Sequence, residues 1–221
     1  MTEAKMQIII PDMFDMTYDE LVEYFLKKYG AAKYDYFHTP ECKSYQKKNS
    51  RTKEGLEIHH IDENRYPNLS EFKGAPFECQ KADRLVYVNI LEHLLLHIKI
   101  DEECKKGINP YNKTSLGHPG IIWISERING YFMYSSNLKG SDLNRYKVIS
   151  DYFDDYVAIL TYYIRNLVNF YPNKKLTIYN EIRDLTKHKG QNYEELHSIL
   201  IKYFEDNFNN VSRNRKPGCL L

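Results

Sequence analysis

The sequence predicts an α+β fold, mostly α: a helix, then a small strand–loop–strand–helix unit, then a helical bundle. Three observations predict it. Capping boxes mark helix starts at Thr17-Tyr18-Asp19-Glu20, Asn89-Ile90-Leu91-Glu92 and Asn192-Tyr193-Glu194-Glu195. Two short β-prone runs flank a loop, one around Leu56, Ile58 and Ile61 and one at Leu85-Val86-Tyr87-Val88. From Tyr146 to Phe170, bulky apolar residues recur at alternating steps of three and four. The turn-rich stretch Gly107 to Gly120 divides these parts, which places one domain at 1–117 and a helical domain at 118–221.

In chain order, the first helix is predicted over 17–29, with Leu21, Tyr24, Phe25 and Lys28 at helical spacing and Gly30 as its stop. Between Lys43 and Lys53 come five basic residues and no acidic one: Lys43, Lys47, Lys48, Arg51 and Lys53. The first strand ends at the pair His59-His60. A loop from Asp62 to Asp83 contains Pro67, Gly74 and Pro76, and the second strand follows it. Asn89 then starts a helix that runs to about Lys106. Ile121, Ile124, Ile128 and Tyr131 predict a helix over 121–135. One long helix is expected over 142–171, started by Ser141 and stopped by Pro172. Its seam is Tyr146, Ile149, Phe153, Tyr156, Leu160, Tyr163, Leu167 and Phe170. Such aromatics suit a globular bundle, and the same seam could pair two copies as a homodimer. Helices at 177–188 and 193–208 and a basic tail at 212–221 complete the chain.

Composition narrows the function classes. A chain of 221 residues with a formal net charge of +1 has no overall basic character, so any nucleic-acid surface must be local. Nothing approaches the roughly 20 apolar residues of a membrane span, and the start MTEAKMQIIIPDMF lacks the pattern of a secretory signal. A cytoplasmic protein is expected. The four cysteines, Cys42, Cys79, Cys104 and Cys219, form no CxxC pair. Separate reduced thiols are favoured over a scattered zinc site built from His38, Cys42, Cys79 and Cys104.

The histidines carry the chemistry. His93 and His97 stand four apart on the helix that Asn89 caps, so they share a face about 5–6 Å apart at Cβ. Two imidazoles so placed can bind one metal, with bonds of roughly 2.0–2.1 Å for zinc. The protease motif HExxH does not fit, because Glu92 precedes His93 and no carboxylate lies between the two histidines. His59 and His60 end the first strand, where neighbours point to opposite faces. Either the strand end twists to bring both to the site, or His60 and Asp62, which share a face, are the ligands. Asp62 and Glu63 are candidates for hydrogen bonding to a histidine N–H.

The order strand with His-His, loop, strand, capped helix with His-x-x-x-His resembles the HNH endonuclease superfamily and its small ββα-metal core. The resemblance covers about a quarter of the chain. It implies that His59, His93 and His97 hold one divalent metal ion (Mg, Mn, Zn or Ni) and that His60 is the general base. The chain departs from the family at its middle asparagine, which normally lies nine residues before the first helix histidine; here that position is Arg84. The task of steadying the base-bearing loop then passes to Arg84, Asp83 or another loop residue, and Arg84 joins His60 as a candidate catalytic residue. The expected function is metal-dependent hydrolysis of DNA phosphodiesters, with Lys43, Lys47, Lys48, Arg51 and Lys53 gripping the backbone. The alternatives are a degenerate HNH-like module that binds nucleic acid or protein without cutting, and a metal site of purely structural purpose.

Overall fold

The computed structural model describes residues 11–71, 75–170, 181–186, 197–198 and 200–202. The fold is mostly helical, with one two-stranded antiparallel sheet. Helix α1, Tyr18–Tyr29, starts as its sequence requires. Thr17 accepts from the Glu20 N–H, and the Glu20 carboxylate accepts from the Thr17 N–H. Gly30, at φ +79°, ends the helix in a region that L side chains avoid. Tyr18, Leu21, Val22 and Phe25 form its buried stripe.

Strand β1, Glu57–His60, pairs with β2, Leu85–Val88, in a register that sets His59 opposite Val86 and His60 opposite Leu85. Helix α2, Ile90–Lys106, leaves β2 through Asn89. The Asn89 Oδ1 accepts from the N–H groups of Leu91 and Glu92, and Glu92 returns a bond to the Asn89 N–H. Such a cap is worth about 1 kcal/mol. Leu94, Leu95, Leu96, Ile98 and Ile100 are all fully buried, so α2 is the central helix, wrapped on most sides.

Helix α3, His118–Met133, packs along α2. Two glycines allow the close approach. Gly117 sits at φ +85°, and a Cβ there would meet the α2 backbone at His97 and Asp101; a Cβ at Gly120 would run into the His97 ring. The long helix expected over 142–171 is two helices, α4 at Gly140–Ile149 and α5 at Phe153–Phe170. The chain turns at Ser150–Tyr152, where the Tyr152 N–H bonds back to Ile149 O, and α5 restarts with Asp154 and Asp155 in its first turn. The heptad-like seam is core of this same chain: Ile149, Tyr156, Leu160 and Tyr163 are buried against other elements, α2 among them. These four residues are therefore not free to pair two copies.

One hydrophobic core runs from Met13 and Phe25 through Leu94 and Ile98 to Ile121, Leu160 and Leu200. It crosses the boundary drawn at 117/118, so the two parts share a single interior. The helices expected at 177–188 and 193–208 lie largely outside the described residues, as does the tail at 212–221; of their positions, Ile182, Leu185 and Leu200 are buried in the same core. Among the described residues no helix is long and apolar enough to cross a membrane.

Candidate metal centre

The first-strand histidines and the helix histidines meet. The His59, His93 and His97 ring centroids are 5.1–5.2 Å apart in all three pairings. Strand alternation explains half of this: Glu57 and His59 face α2, while Ile58 and His60 face the other way. A short 3-10 turn at Ile61–Asn64 then folds the chain back and delivers a fourth group, Glu63. Its Oε2 lies 3.2 Å from His97 Nε2 and 3.6 Å from His59 Nδ1. One ligand atom from each of His59, Glu63, His93 and His97 lies within 4.8 Å of all the others. A tetrahedral zinc site with bonds of ~2.0–2.1 Å has its ligand atoms ~3.3–3.4 Å apart, so the set must draw in to close on such an ion.

The hydrogen bonds around these rings determine which nitrogens carry lone pairs. The Tyr18 hydroxyl donates to Ile61 O at 2.8 Å, so it must accept from His59 Nε2 at 2.8 Å. His59 is therefore protonated at Nε2, and its buried Nδ1 is left as an acceptor with no hydrogen-bond partner. His93 donates from Nδ1 to Glu57 at 2.9 Å and keeps Nε2 as the acceptor. His97 turns Nε2 toward Glu63, and its buried Nδ1 has no partner. His59 Nδ1, His93 Nε2 and the Glu63 carboxylate thus present lone pairs to one space, with His97 Nε2 facing Glu63 across it, and a set so rich in acceptors is what a cation satisfies. The residues present fit a metal.

Glu57 is the carboxylate behind His93. Arg127 of α3 and Arg145 of α4 both reach it, the latter at 2.6 Å. Burial works against its charge, but His93 and Arg127 outweigh burial and hold the carboxyl well below the usual range. Such an ionised partner fixes the His93 tautomer and strengthens it as a ligand. Burial pushes His59 and His93 below the ordinary imidazole value, so both rings are neutral ligands. Burial opposes the charge of Glu63 too, but the neighbouring His59 and a hydrogen bond from His97 lower its pKa.

His60 stands on the other side of Glu63, with Nδ1 3.8 Å from Oε1. Gln80 donates to Leu69 O at 3.0 Å, which leaves its Oε1 to accept from His60 Nε2 at 2.9 Å. The free lone pair of His60 is therefore on Nδ1. Burial lowers the His60 pKa as well. The Tyr36 ring stands edge-on to it with centroids 4.5 Å apart. His60, Glu63, His93 and His97 line a cleft of about 810 Å³.

The other residues singled out by the sequence lie outside the cluster. Asp62 is not among the ligands: Arg84 grips it with two bonds of 2.8 and 2.5 Å. Arg84 does not line the cleft; through Asp62 it holds the turn that follows His60, while Gln80 contacts the His60 ring itself. Of the basic run, Arg51 is committed to Glu54 and to Tyr29 O and lies over the Tyr87 ring. Lys43, Lys47, Lys48 and Lys53 are exposed. His38, Cys42, Cys79 and Cys104 do not gather. Cys104 is in the main core and Cys79 in a small cluster with Leu69 and Ala75, and all three described cysteines are free thiols. Glu57 and Gln80 were missed. Strand alternation could have placed Glu57 beside His59, but Gln80 carries no signal in the sequence. No protein-family model, no curated protein and no solved structure matches this chain.

Proposed function

We propose that the chain is a metal-dependent endonuclease of HNH type that hydrolyses DNA phosphodiesters in the cleft beside His60. The observation that carries this reading is a division of labour at one strand end: His59 joins His93, His97 and Glu63, while His60 is held apart by Gln80 with Nδ1 unprotonated. His59, Glu63, His93 and His97 would hold a divalent ion, whose contribution is Lewis-acid stabilisation of a phosphate oxygen and of the leaving 3′ oxygen. Three imidazoles suit zinc, nickel or manganese better than magnesium.

His60 takes the proton from the attacking water at Nδ1. Gln80 keeps the opposite nitrogen protonated and the ring in place, and burial keeps the ring neutral near pH 7, so the lone pair is available. Lys43, Lys47, Lys48 and Lys53 contact backbone phosphates and set register rather than sequence. The HNH resemblance implies 5′-phosphate and 3′-hydroxyl ends. Plasmid nicking with magnesium, manganese, nickel or zinc tests the reading. His60→Ala should lower the rate by about 10²–10⁴ while leaving metal content unchanged. Equal nicking by wild type and His60→Ala rejects His60 as the base.

One observation favours a second reading. Four protein ligands close a coordination shell, which is the pattern of structural zinc, whereas catalytic sites keep a position open. Glu63 also sets negative charge between His60 and the histidine cluster, where a phosphate would have to approach. On this reading the chain is a metal-stabilised, non-cutting binding module. It predicts no nicking with any of the four metals and cooperative unfolding on chelation.

A further inference from the structure

The chain has a single tryptophan, Trp123, and it lies on the wall of the histidine cleft. It is 57% exposed, although it sits on a helix whose neighbours Ile121, Ile124 and Ile128 are buried. What sets it apart from a lone surface aromatic is its place on the wall of the cleft that holds the recessed polar cluster. The Arg127 guanidinium lies 4.6 Å from the ring centroid, and Glu57 holds that guanidinium in place. The ring is thus braced by a fixed cation, with most of its surface left open. Tyr45, 54% exposed, lines the same cleft and belongs to the segment that carries exposed Lys43, Lys47 and Lys48.

Depth narrows the ligand further. His60 is only 1% exposed and His93 only 9%. A phosphate on a rigid duplex stays on the outside of a rod. To meet recessed imidazoles, the strand must leave the helical path, which an unpaired strand does without breaking base pairs. A positively charged track with aromatic rings along it is how single strands are held, because every base has a π-face. We infer that Trp123 is a stacking platform for an unpaired base of a single DNA strand lying in the cleft, with Tyr45 and the lysines of 43–48 following the strand at its mouth. The inference rests on the reading of the cleft as a nucleic-acid site, and it names the substrate as single-stranded or locally unpaired DNA rather than intact duplex.

Trp123 is its own reporter, since no other tryptophan contributes to the emission. The test uses the full chain carrying His60→Ala, which slows turnover by about 10²–10⁴, and a single-stranded oligothymidylate of about 12 nucleotides. Saturable quenching of tryptophan emission is expected. In fluorescence anisotropy with a labelled strand, Trp123→Ala should weaken binding by about 5- to 100-fold, the range for loss of one base–aromatic stack. Trp123→Tyr should restore most of that loss, which a purely structural role for the indole would not allow. A matched duplex should bind more weakly than the strand. Unchanged emission at saturation, unimpaired binding by Trp123→Ala, or tighter binding of duplex each overturns the inference. Strand binding with quenching, together with no cleavage by the wild type in any of the four metals, keeps the platform and removes the nuclease. Cleavage of duplex by the wild type, equally fast in Trp123→Ala, keeps the nuclease and removes the platform.

Discussion

Helix α2 carries two buried polar clusters a turn apart, and they are built on opposite principles. At Lys99 every group is satisfied. The ammonium donates to Phe14 O, to the Tyr162 hydroxyl and to Glu102, and Glu102 also accepts from Tyr162 and Lys106. Three donors meet three acceptors. At His93 and His97 the balance fails: His59 Nδ1 is buried without a partner, and Glu63 adds acceptors rather than donors. The first cluster fastens the segment before α1 and helix α5 onto α2. The second is completed by a cation. A buried polar cluster that is complete in itself is structural, whereas one short of positive charge points to a ligand.

The largest expected consequence of this difference is metal-dependent stability. With free zinc about 1,000-fold above its dissociation constant, the wild type should gain about 4 kcal/mol, read as a rise in Tm that chelator reverses and that His93→Ala abolishes. The metal-free protein should also be acid-sensitive. His59, His60 and His93 have folded pKa values below the ordinary imidazole value of about 6.5. The unfolded chain therefore binds more protons below that pH, and stability falls as the pH drops from 8 toward 5.5. The depressed Glu57 adds a further loss below about pH 4.5. A metal-free Tm that rises on acidification would break the comparison.

The complete cluster should fail differently. Lys99→Met leaves Glu102 in the interior without that ammonium and should destabilise the fold by on the order of 3 kcal/mol. Metal affinity should not change. A parallel fall in zinc affinity would show that the two clusters are not independent. A smaller and more selective effect is expected from Gly120→Ala, whose added methyl meets the His97 ring. Zinc affinity should fall about 10- to 100-fold, comparable to losing a group that orients a ligand. Alanine is the better helix former by about 1 kcal/mol, so weaker binding cannot be traced to a weakened α3.

Local signals were the legible ones. The capping boxes at Thr17 and Asn89 form as written, and the four-residue spacing of His93 and His97 aims both rings at His59. What the sequence hides is what depends on distant contacts or on turns without a period. Glu63 enters the cluster only because a 3-10 turn follows His60, and nothing in Ile-Asp-Glu-Asn distinguishes it from Asp62, which Arg84 takes instead. Gln80 reaches His60 from a loop 20 positions away. The steps of three and four continue across Ser150–Tyr152 although the helix breaks there, because they record which side is buried and not whether the backbone is continuous. Arg127 and Arg145 meet Glu57 through packing of α3 and α4, a contact with no local trace.

His59, Glu63, His93 and His97 should close around one cation. Titrating the chelator-treated protein with cobalt(II), and following the visible absorption of a four-coordinate ion, tests it most directly. Saturation at one ion per chain is expected in the wild type, with loss of the signal in His93→Ala and His97→Ala and no change in Asp62→Asn. A wild type that shows no saturable signal, or a signal that survives both histidine substitutions, contradicts it.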